Sequence, residues 1–504
     1  MHFQNTQKGL IKTYFILLIS IFFVLNVHCE PKINTSENIS TGYQDSILKV
    51  STDGVFMRNG KAYYGIGVNY FNAFYRTILS NNDISYTAGL KYLSENKIPF
   101  IRFSINGFWP NELKLYRDNK PIYFTLLDEF VKSAETNGVG LIPSLFWNST
   151  AVPDLVGEHV NQWANPNSKT IAFMRTYTTE IVNRYKNSPA IWGWEFSNEM
   201  NCVSDLLSQA INFLPKVSVS QGTPATRTIE DAMTTDILLS ALNDFEATVR
   251  KIDPDRAIFC GNGMPPANMY HRYKFQTWTQ DSSTDFTTLL DLQNPISFGS
   301  LTLHVYPEFE FKYFSDVNAS YFRMIQEAMR SAKELKRPLF IGEFGSPKTL
   351  GTEMEAQKFN EALKALIDNK VQLSALWVYD FSYQDADWNI TQTNSRKYQL
   401  DAIINANAQF LITAGNIETI SQNGSYSLYT NPTNDVVQLK VETTTSVTSS
   451  MCYQLYDMQG RFLETNKIVS ELTNIDVENL VPSIYFLKII NDNKEVKVFK
   501  IIKI

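Results

Sequence analysis

The chain has 504 residues, a net charge of −6, only 19 % charged residues and no basic block. That excludes a nucleic-acid surface built on Lys and Arg, and the length exceeds one ordinary domain unless that domain is a large barrel. Aromatics make up 13 %, and all eight Trp fall between Trp109 and Trp388, a distribution that suits a large core and ring faces on which sugars stack.

In chain order, Lys8 and Lys12 precede an apolar run from Tyr14 to Val27. The run is too short to span a membrane comfortably and reads as the apolar part of a secretory signal over residues 1–29, with cleavage near Cys29. Residues 30–48 are polar and turn-rich and read as a flexible leader. Beyond the signal only Cys202, Cys260 and Cys452 remain, which is no disulfide framework. Cys202 and Cys260 read as two buried thiols, with a pairing between them left open.

From 49 to 412 strand-like runs alternate with amphipathic helical patterns. Eight strands are expected: Tyr64–Tyr70, Phe100–Ser104, Val139–Phe146, Ile191–Phe196, Ala257–Cys260, Ser300–Tyr306, Leu339–Gly342 and Leu373–Tyr379. Helices are expected over 122–137, 169–186, 229–252, 321–335 and 353–369. Eight such units predict an α/β fold, a (β/α)8 TIM barrel. The alternative, a doubly wound open sheet, lacks a Gly-rich phosphate loop after its first strand. The long connection from Asn201 to Asp255 is expected to wall a cleft. After a linker at 413–422, residues 423–504 hold short alternating β runs without a helical period, and a small all-β sandwich is expected.

Two stretches share a grammar that carries chemistry. Ile191–Glu199 runs apolar and ends in Asn198-Glu199, and Pro338–Gly345 runs apolar into Glu343. Two buried strands that end in carboxylates supply the acid and the nucleophile of glycosidic-bond cleavage. Arg102, His304, Tyr306 and Trp377 stand at other strand ends, on the face where barrels carry their sites. Arg102 and the Tyr306 hydroxyl are candidates to keep the nucleophile ionised. His304 could tune the acid, and Trp377 would floor the sugar. Taken singly, Arg102 reads equally as a structural ion pair, and the His, Tyr and Trp as packing. No HExxH, GxSxG, P-loop or dinucleotide fingerprint is present, and three His after the signal make a zinc site unexpected. No metal and no cofactor is expected.

Residues 50–400 resemble glycoside hydrolase family 5, the retaining β-glycanases that include cellulases and mannanases. The resemblance rests on Trp194-Glu-Phe-Ser-Asn-Glu199 and Ile341-Gly-Glu343-Phe-Gly, with Arg102, His304-Val-Tyr306 and Trp377 at the other strand ends. It implies Glu199 as acid/base, Glu343 as nucleophile, Asn198 on the sugar 2-hydroxyl, Arg102 and Tyr306 holding Glu343, and His304 near Glu199. Many cellulase-type members carry a His at the end of strand three, where this chain reads Leu145-Phe-Trp147-Asn148. That departure leans the substrate toward β-1,4-mannan. Trp147 and Asn148, with Asp154 and Glu158 beyond them, would line the cleft.

The tail, through Tyr429-Thr-Asn-Pro-Thr-Asn-Asp435, Tyr456-Asp-Met-Gln-Gly460 and Ile484-Tyr-Phe-Leu-Lys488, resembles the type IX secretion sorting domain of Bacteroidetes. It implies passage through the periplasm to the surface or medium, with the secretion machinery as partner; the alternative for the tail is a carbohydrate-binding sandwich. The expected protein is a monomeric, secreted retaining endo-β-glycosidase with carboxylates about 5–5.5 Å apart. The alternatives are a β-1,4-glucanase, a transglycosylase with the same pair, or a barrel that only binds polysaccharide.

Overall fold

All eight expected strands form, and their interiors are apolar because both faces of a parallel sheet are covered. In a computed structural model they are β1 (Gly65–Asn69), β2 (Phe100–Ser104), β3 (Gly140–Phe146), β4 (Gly193–Ser197), β5 (Ala257–Phe259), β6 (Leu301–Val305), β7 (Leu339–Phe344) and β8 (Leu373–Leu376), every residue of them buried. The structure describes residues 47–307, 313–314, 320–415, 426–431, 433–441, 447, 450–457, 461–491 and 494–503. The expected signal peptide, the leader up to 46, the linker from 416 to 422 and residues 458–460 lie outside the described residues. The chain forms two units, Met1–Lys397 and Tyr398–Ile504.

The sheet order is β5-β4-β3-β2-β1-β8-β7-β6, all parallel, with β8 laddered to β1. This is the TIM barrel, with its seam between β5 and β6. Asn294 bridges that seam. Its Oδ1 accepts from Thr302 N and from the Cys260 thiol, both at 2.8 Å, and its Nδ2 donates to Leu290 O. Ser300 Oγ adds a bond to Ile258 O at 2.8 Å. Burial pushes the Cys260 thiol up to about 12, so it stays protonated as the donor. Cys202 and Cys260 are both free thiols.

A short antiparallel sheet (Lys49–Val50, Phe56–Arg58, Lys61–Ala62) precedes β1. Leu48 and Phe56 pack with Phe100, Ile142, Trp192 and Phe340. Leu48, at the end of the stretch expected to be a leader, is fully buried. The hairpin turn Asn59-Gly60, with both φ positive, is the pairing such a two-residue turn favours.

The helices follow their caps. Lys120–Asn137 starts on the Asn119 side chain and stops at left-handed Gly138. The helix expected over 229–252 begins later, at Thr235. Ile229–Asp231 is a separate 3-10 turn, and the new start is fixed by Thr234 Oγ1 on Ile237 N and by the Asp205 carboxylate on Thr235 N. The last helix, Lys397–Gly415, runs past the expected boundary at 412.

In the second unit, Val436–Val441 lies between Tyr426–Tyr429 and Leu472–Asp476. A second sheet orders Phe462–Lys467, Cys452–Tyr456, Ser483–Asn491 and Lys494–Lys503. Alternate residues point inward, so Val437, Leu439, Tyr453, Leu455, Leu487 and Ile489 share one core.

Asn294→Ala is expected to lower unfolding stability by about 2–4 kcal/mol, because it orphans the buried Thr302 amide and the Cys260 thiol. Urea denaturation checks this; a loss of less than about 0.5 kcal/mol, the usual size of a neutral surface change, would mean the seam does not need the bridge.

Candidate active site

The strands deliver their polar residues to one place. Arg102, the middle residue of β2 rather than its end, has no exposed surface. Its Nε donates to both oxygens of Glu195 (2.8 and 2.9 Å). Its Nη1 donates to Asn69 Oδ1 (3.0 Å) and Glu343 Oε1 (2.6 Å), and its Nη2 to Asn198 Oδ1 (2.9 Å). Glu343 Oε2 accepts from the Tyr306 hydroxyl at 2.5 Å. Both Glu343 oxygens are thus engaged by donors, one of them cationic.

Glu199 follows β4 with φ +52°, in the left-handed region that non-glycine residues rarely adopt. Its N–H donates to Gly261 O at 2.8 Å. Gly263 leaves room for it: a Cβ there would lie 3.0 Å from Glu199 Oε1 and 2.6 Å from Cys202 Sγ. Glu199 Oε1 meets His304 Nδ1 at 2.9 Å, and its side chain keeps 36 % of its surface toward the cleft. His304 Nε2 has no partner among the described residues and lies beside Gly342, where a Cβ would approach it to 2.8 Å. Only Nδ1 of this ring is in use.

Electrostatics separates the two carboxyls. Burial pushes both above the ordinary range. For Glu343 that lift is opposed by Arg102 and the Tyr306 hydroxyl, while Glu199 adds to it. For Glu199 it is opposed only by Arg102. Burial drops His304 to about 3, so its imidazole is neutral through the working range. Glu199, His304 and Glu343 offer ligand atoms within 4.8 Å of one another. The set suits a cation poorly, because both Glu343 oxygens are already taken and the Arg102 guanidinium stands beside them.

Trp377 is partly exposed; its N donates to Phe344 O, its Nε1 to Gln384 Oε1, and its peptide bond to Val378 is cis. Trp147 sits elsewhere than on the open face of the cleft. It is 4 % exposed, stacked on Trp377 at 6.1 Å, edge-on to Phe71, with the Arg102 guanidinium 4.6 Å from its ring. Asn148 Oδ1 accepts from Thr150 N and Oγ1. Asp154 is closed in a buried bidentate pair with Arg227, and Glu158 accepts from Lys169 N and Thr170 N at the start of the helix Lys169–Tyr185. These two support loops rather than line the cleft. Sequence reasoning missed Glu195 and Asn69; Trp388, one of the loop aromatics the sequence offers for the cleft, has its ring 5.0 Å from that of Tyr306. A charged residue alternating inward within Trp194-Glu195-Phe196 was the available signal for Glu195.

The cellulase model, glycosyl hydrolase family 5, matches residues 64–382. The chain belongs to this family. A secretion system C-terminal sorting domain matches residues 427–504. Mannan endo-1,4-beta-mannosidase A of Podospora anserina is 26 % identical over 280 residues, covering 50 % of this chain and 62 % of the relative. Mannan endo-1,4-beta-mannosidase 2 of Arabidopsis thaliana is 24 % identical over 250 residues, covering 44 % and 50 %. The matched stretch thus spans about half to three-fifths of these relatives. Among solved structures, the endo-1,4-beta-mannanase from Rhizomucor miehei superposes with a TM-score of 0.52 at 17 % identity, covering 73 % of this chain and 99 % of that one. A family 5 mannosidase from the same organism gives 0.51 at 14 %, covering 74 % and 100 %. These likenesses show the shared barrel.

The raised Glu199 carboxyl has a stability consequence. The folded state holds its proton more tightly than the unfolded chain, so stability present below the unfolded value near 4.3 is lost as pH rises through the folded value. Glu199→Gln removes that loss. Its melting temperature is expected above wild type at pH 7, with the gain vanishing near about pH 4. An equal or lower midpoint at pH 7 would contradict the assignment.

Proposed function

We propose that this protein is a secreted endo-β-glycosidase that hydrolyses a β-linked polysaccharide, β-1,4-mannan in the first place, with retention of configuration. The observation that carries the mechanism is the spacing: oxygens of Glu199 and Glu343 lie within 4.8 Å of each other. Retaining enzymes hold their carboxyls about 5–5.5 Å apart, while inverting ones need about 6.5–9.5 Å to admit a water.

In the first step Glu343 attacks the anomeric carbon while the glycosidic C–O bond breaks and Glu199 gives its proton to the departing oxygen. In the second, Glu199 takes a proton from water, which displaces Glu343 and restores both carboxyls. The donors on Glu343 suit a group that must carry negative charge. The neighbourhood of Glu199, neutral His304 and few donors, suits a group that must keep its proton until the leaving oxygen needs it. Asn198 uses its Oδ1 on Arg102, which leaves its amide N–H groups for a sugar hydroxyl. Trp377 offers the partly exposed ring for the sugar face. The mannan assignment draws on the relatives named above and on the absence of a His at the end of β3.

The sorting domain supports export through the periplasm to the cell surface or beyond, with the secretion machinery as the partner of the tail.

Reducing-sugar release from mannan, glucomannan, cellulose and mixed-linkage glucan tests the substrate. Mannan is expected to be cleaved, and Glu343→Ala to be silent. Cleavage of glucans alone would overturn the mannan assignment and keep the carboxylate pair. Glu199→Ala is expected to lose about 10²–10⁴ in rate on mannan. With an aryl β-glycoside whose leaving phenolate needs no proton, azide should restore turnover of Glu199→Ala by displacing Glu343 and give a glycosyl azide of the substrate's own configuration; the opposite configuration would contradict retention. Removal of residues 423–504 is expected to leave the activity inside the producing cell, and undiminished activity in the medium would contradict the export role.

A further inference from the structure

Inside the barrel stands a carboxylate that the proposed chemistry does not use. Glu195, the middle residue of β4, has no exposed surface. Its neighbours turn outward: Trp194 donates to Asp253, and Phe196 packs on Phe245 of the helix Thr235–Arg250. Alternation along the strand therefore sends Glu195 into the barrel. A carboxylate buried there is tolerated only with a partner, and it has one. Arg102 Nε donates to both of its oxygens, at 2.8 and 2.9 Å. Two oxygens accepting one N–H mark the ionised form, because a proton on either would spoil it as an acceptor. Ser144, paired with Glu195 across β3 and β4, adds a hydrogen bond. Gly261, just past β5, closes down on it: a Cβ there would lie 3.1 Å from the Glu195 carboxyl carbon.

The charges around the guanidinium give this pair its effect. Arg102 carries one positive charge and meets two carboxylates, Glu195 through Nε and Glu343 through Nη1. Among the described residues, Glu195 also faces the Cys260 thiol, while Glu343 and Glu199 face each other, His304, Tyr306 and the Cys202 thiol. Burial keeps the imidazole neutral and the hydroxyl and both thiols protonated through the working range. The charge of the site is thus set by Arg102, Glu195, Glu343 and Glu199 alone. With Glu195 ionised, Arg102 and Glu195 sum to zero, and Glu343 stands as a surplus anion beside Glu199. An anion nearby makes each of the two carboxyls hold a proton more tightly. With Glu195 neutral, Arg102 would balance Glu343 alone, and Glu199 would release its proton more readily.

We propose that Glu195 is a positioning residue for the reaction: it holds Arg102 as a neutral pair, so that Glu343 keeps an unbalanced negative charge for attack and Glu199 keeps its proton for the leaving oxygen. The roles of Glu343 and Glu199 rest on the glycanase reading; the pairing of Arg102 with Glu195 does not.

The pH profile of kcat/KM, taken with full-length protein on the glycan that wild type cleaves, mannan or glucan, provides the test. Glu195→Gln keeps the shape and an acceptor for Nε and removes the charge. Both limbs, Glu343 on the acid side and Glu199 on the alkaline side, are expected to move to lower pH by about one unit. Glu195→Asp restores the charge at a shorter reach, and its limbs are expected at the wild-type positions even where kcat stays low. Limbs unmoved in Glu195→Gln, or moved equally in both variants, would overturn the proposal and leave Glu195 a packing partner of Arg102. The melting midpoint of Glu343→Gln is a second readout that needs neither activity nor a change at Glu195. A Gln there still accepts from Arg102, and its amide can donate to the Tyr306 hydroxyl. Loss of the Glu343 charge leaves Arg102 and Glu195 matched, so the midpoint at pH 7 is expected at or above wild type. A clear drop would make Glu343 the counterion of Arg102 and overturn the proposal. Wild type silent on both glycans, with that midpoint held, would defeat the glycanase reading and keep the pairing.

Discussion

A guanidinium with no exposed surface lies where β1, β2, β4 and β7 converge, and the catalytic end of the barrel is arranged around it. Arg102 reaches Glu195, Asn69, Glu343 and Asn198 with Nε, Nη1 and Nη2. A buried charge is tolerated only when paired and hydrogen-bonded, and here the pairing partners are themselves the residues that must be positioned. Trp147 covers the open face of the guanidinium, and Trp147 in turn carries Trp377. Displacing Arg102 would therefore move Glu343, the proposed nucleophile, Asn198 beside the proposed acid, and the support of Trp377 together.

The same arrangement sets the charges. Arg102 faces two carboxylates directly, Glu195 and Glu343, and a third carboxyl, Glu199, stands across His304 from Glu343. One cation cannot neutralise three anions in a buried site. The carboxyl with the fewest donors and the nearest neutral neighbour is the one that holds a proton most readily, and that is Glu199. The division of labour proposed for these two chemically identical side chains thus rests on where the donors are. The left-handed backbone of Glu199, tied to Gly261 and fitted against Gly263, is the conformational cost of placing it there.

Much of this was legible in the sequence. Apolar runs interrupted by Arg102, His304 and Glu343, and the run ending just before Glu199, mark strands that carry single polar residues near their C-terminal ends. The tail was legible for a similar reason, since alternation in Val436–Val441 and Cys452–Tyr456 declares a one-sided sheet. Side chains whose partners are distant in sequence were not legible. Asp154 and Glu158 look like cleft acids until Arg227 and the helix start at Lys169 are folded against them. Trp147 looks like a platform until Phe71, Trp377 and Arg102 enclose it. Asn294, within Gln293-Asn-Pro295, reads as a turn, yet it bridges the seam of the barrel. The hairpin at Asn59-Gly60 carried an adequate local signal that the broader strand pattern overshadowed.

The central claim is that Glu343, held ionised by Arg102 and Tyr306, forms the covalent bond to the sugar. A 2-deoxy-2-fluoro β-mannosyl or β-glucosyl fluoride would arrest the reaction after that bond forms, and mass spectrometry of the digested protein would locate the label. The account predicts a glycosyl ester on the peptide that carries Glu343 and none in Glu343→Ala. A label on Glu199, or time-dependent inactivation with the label elsewhere, would contradict it.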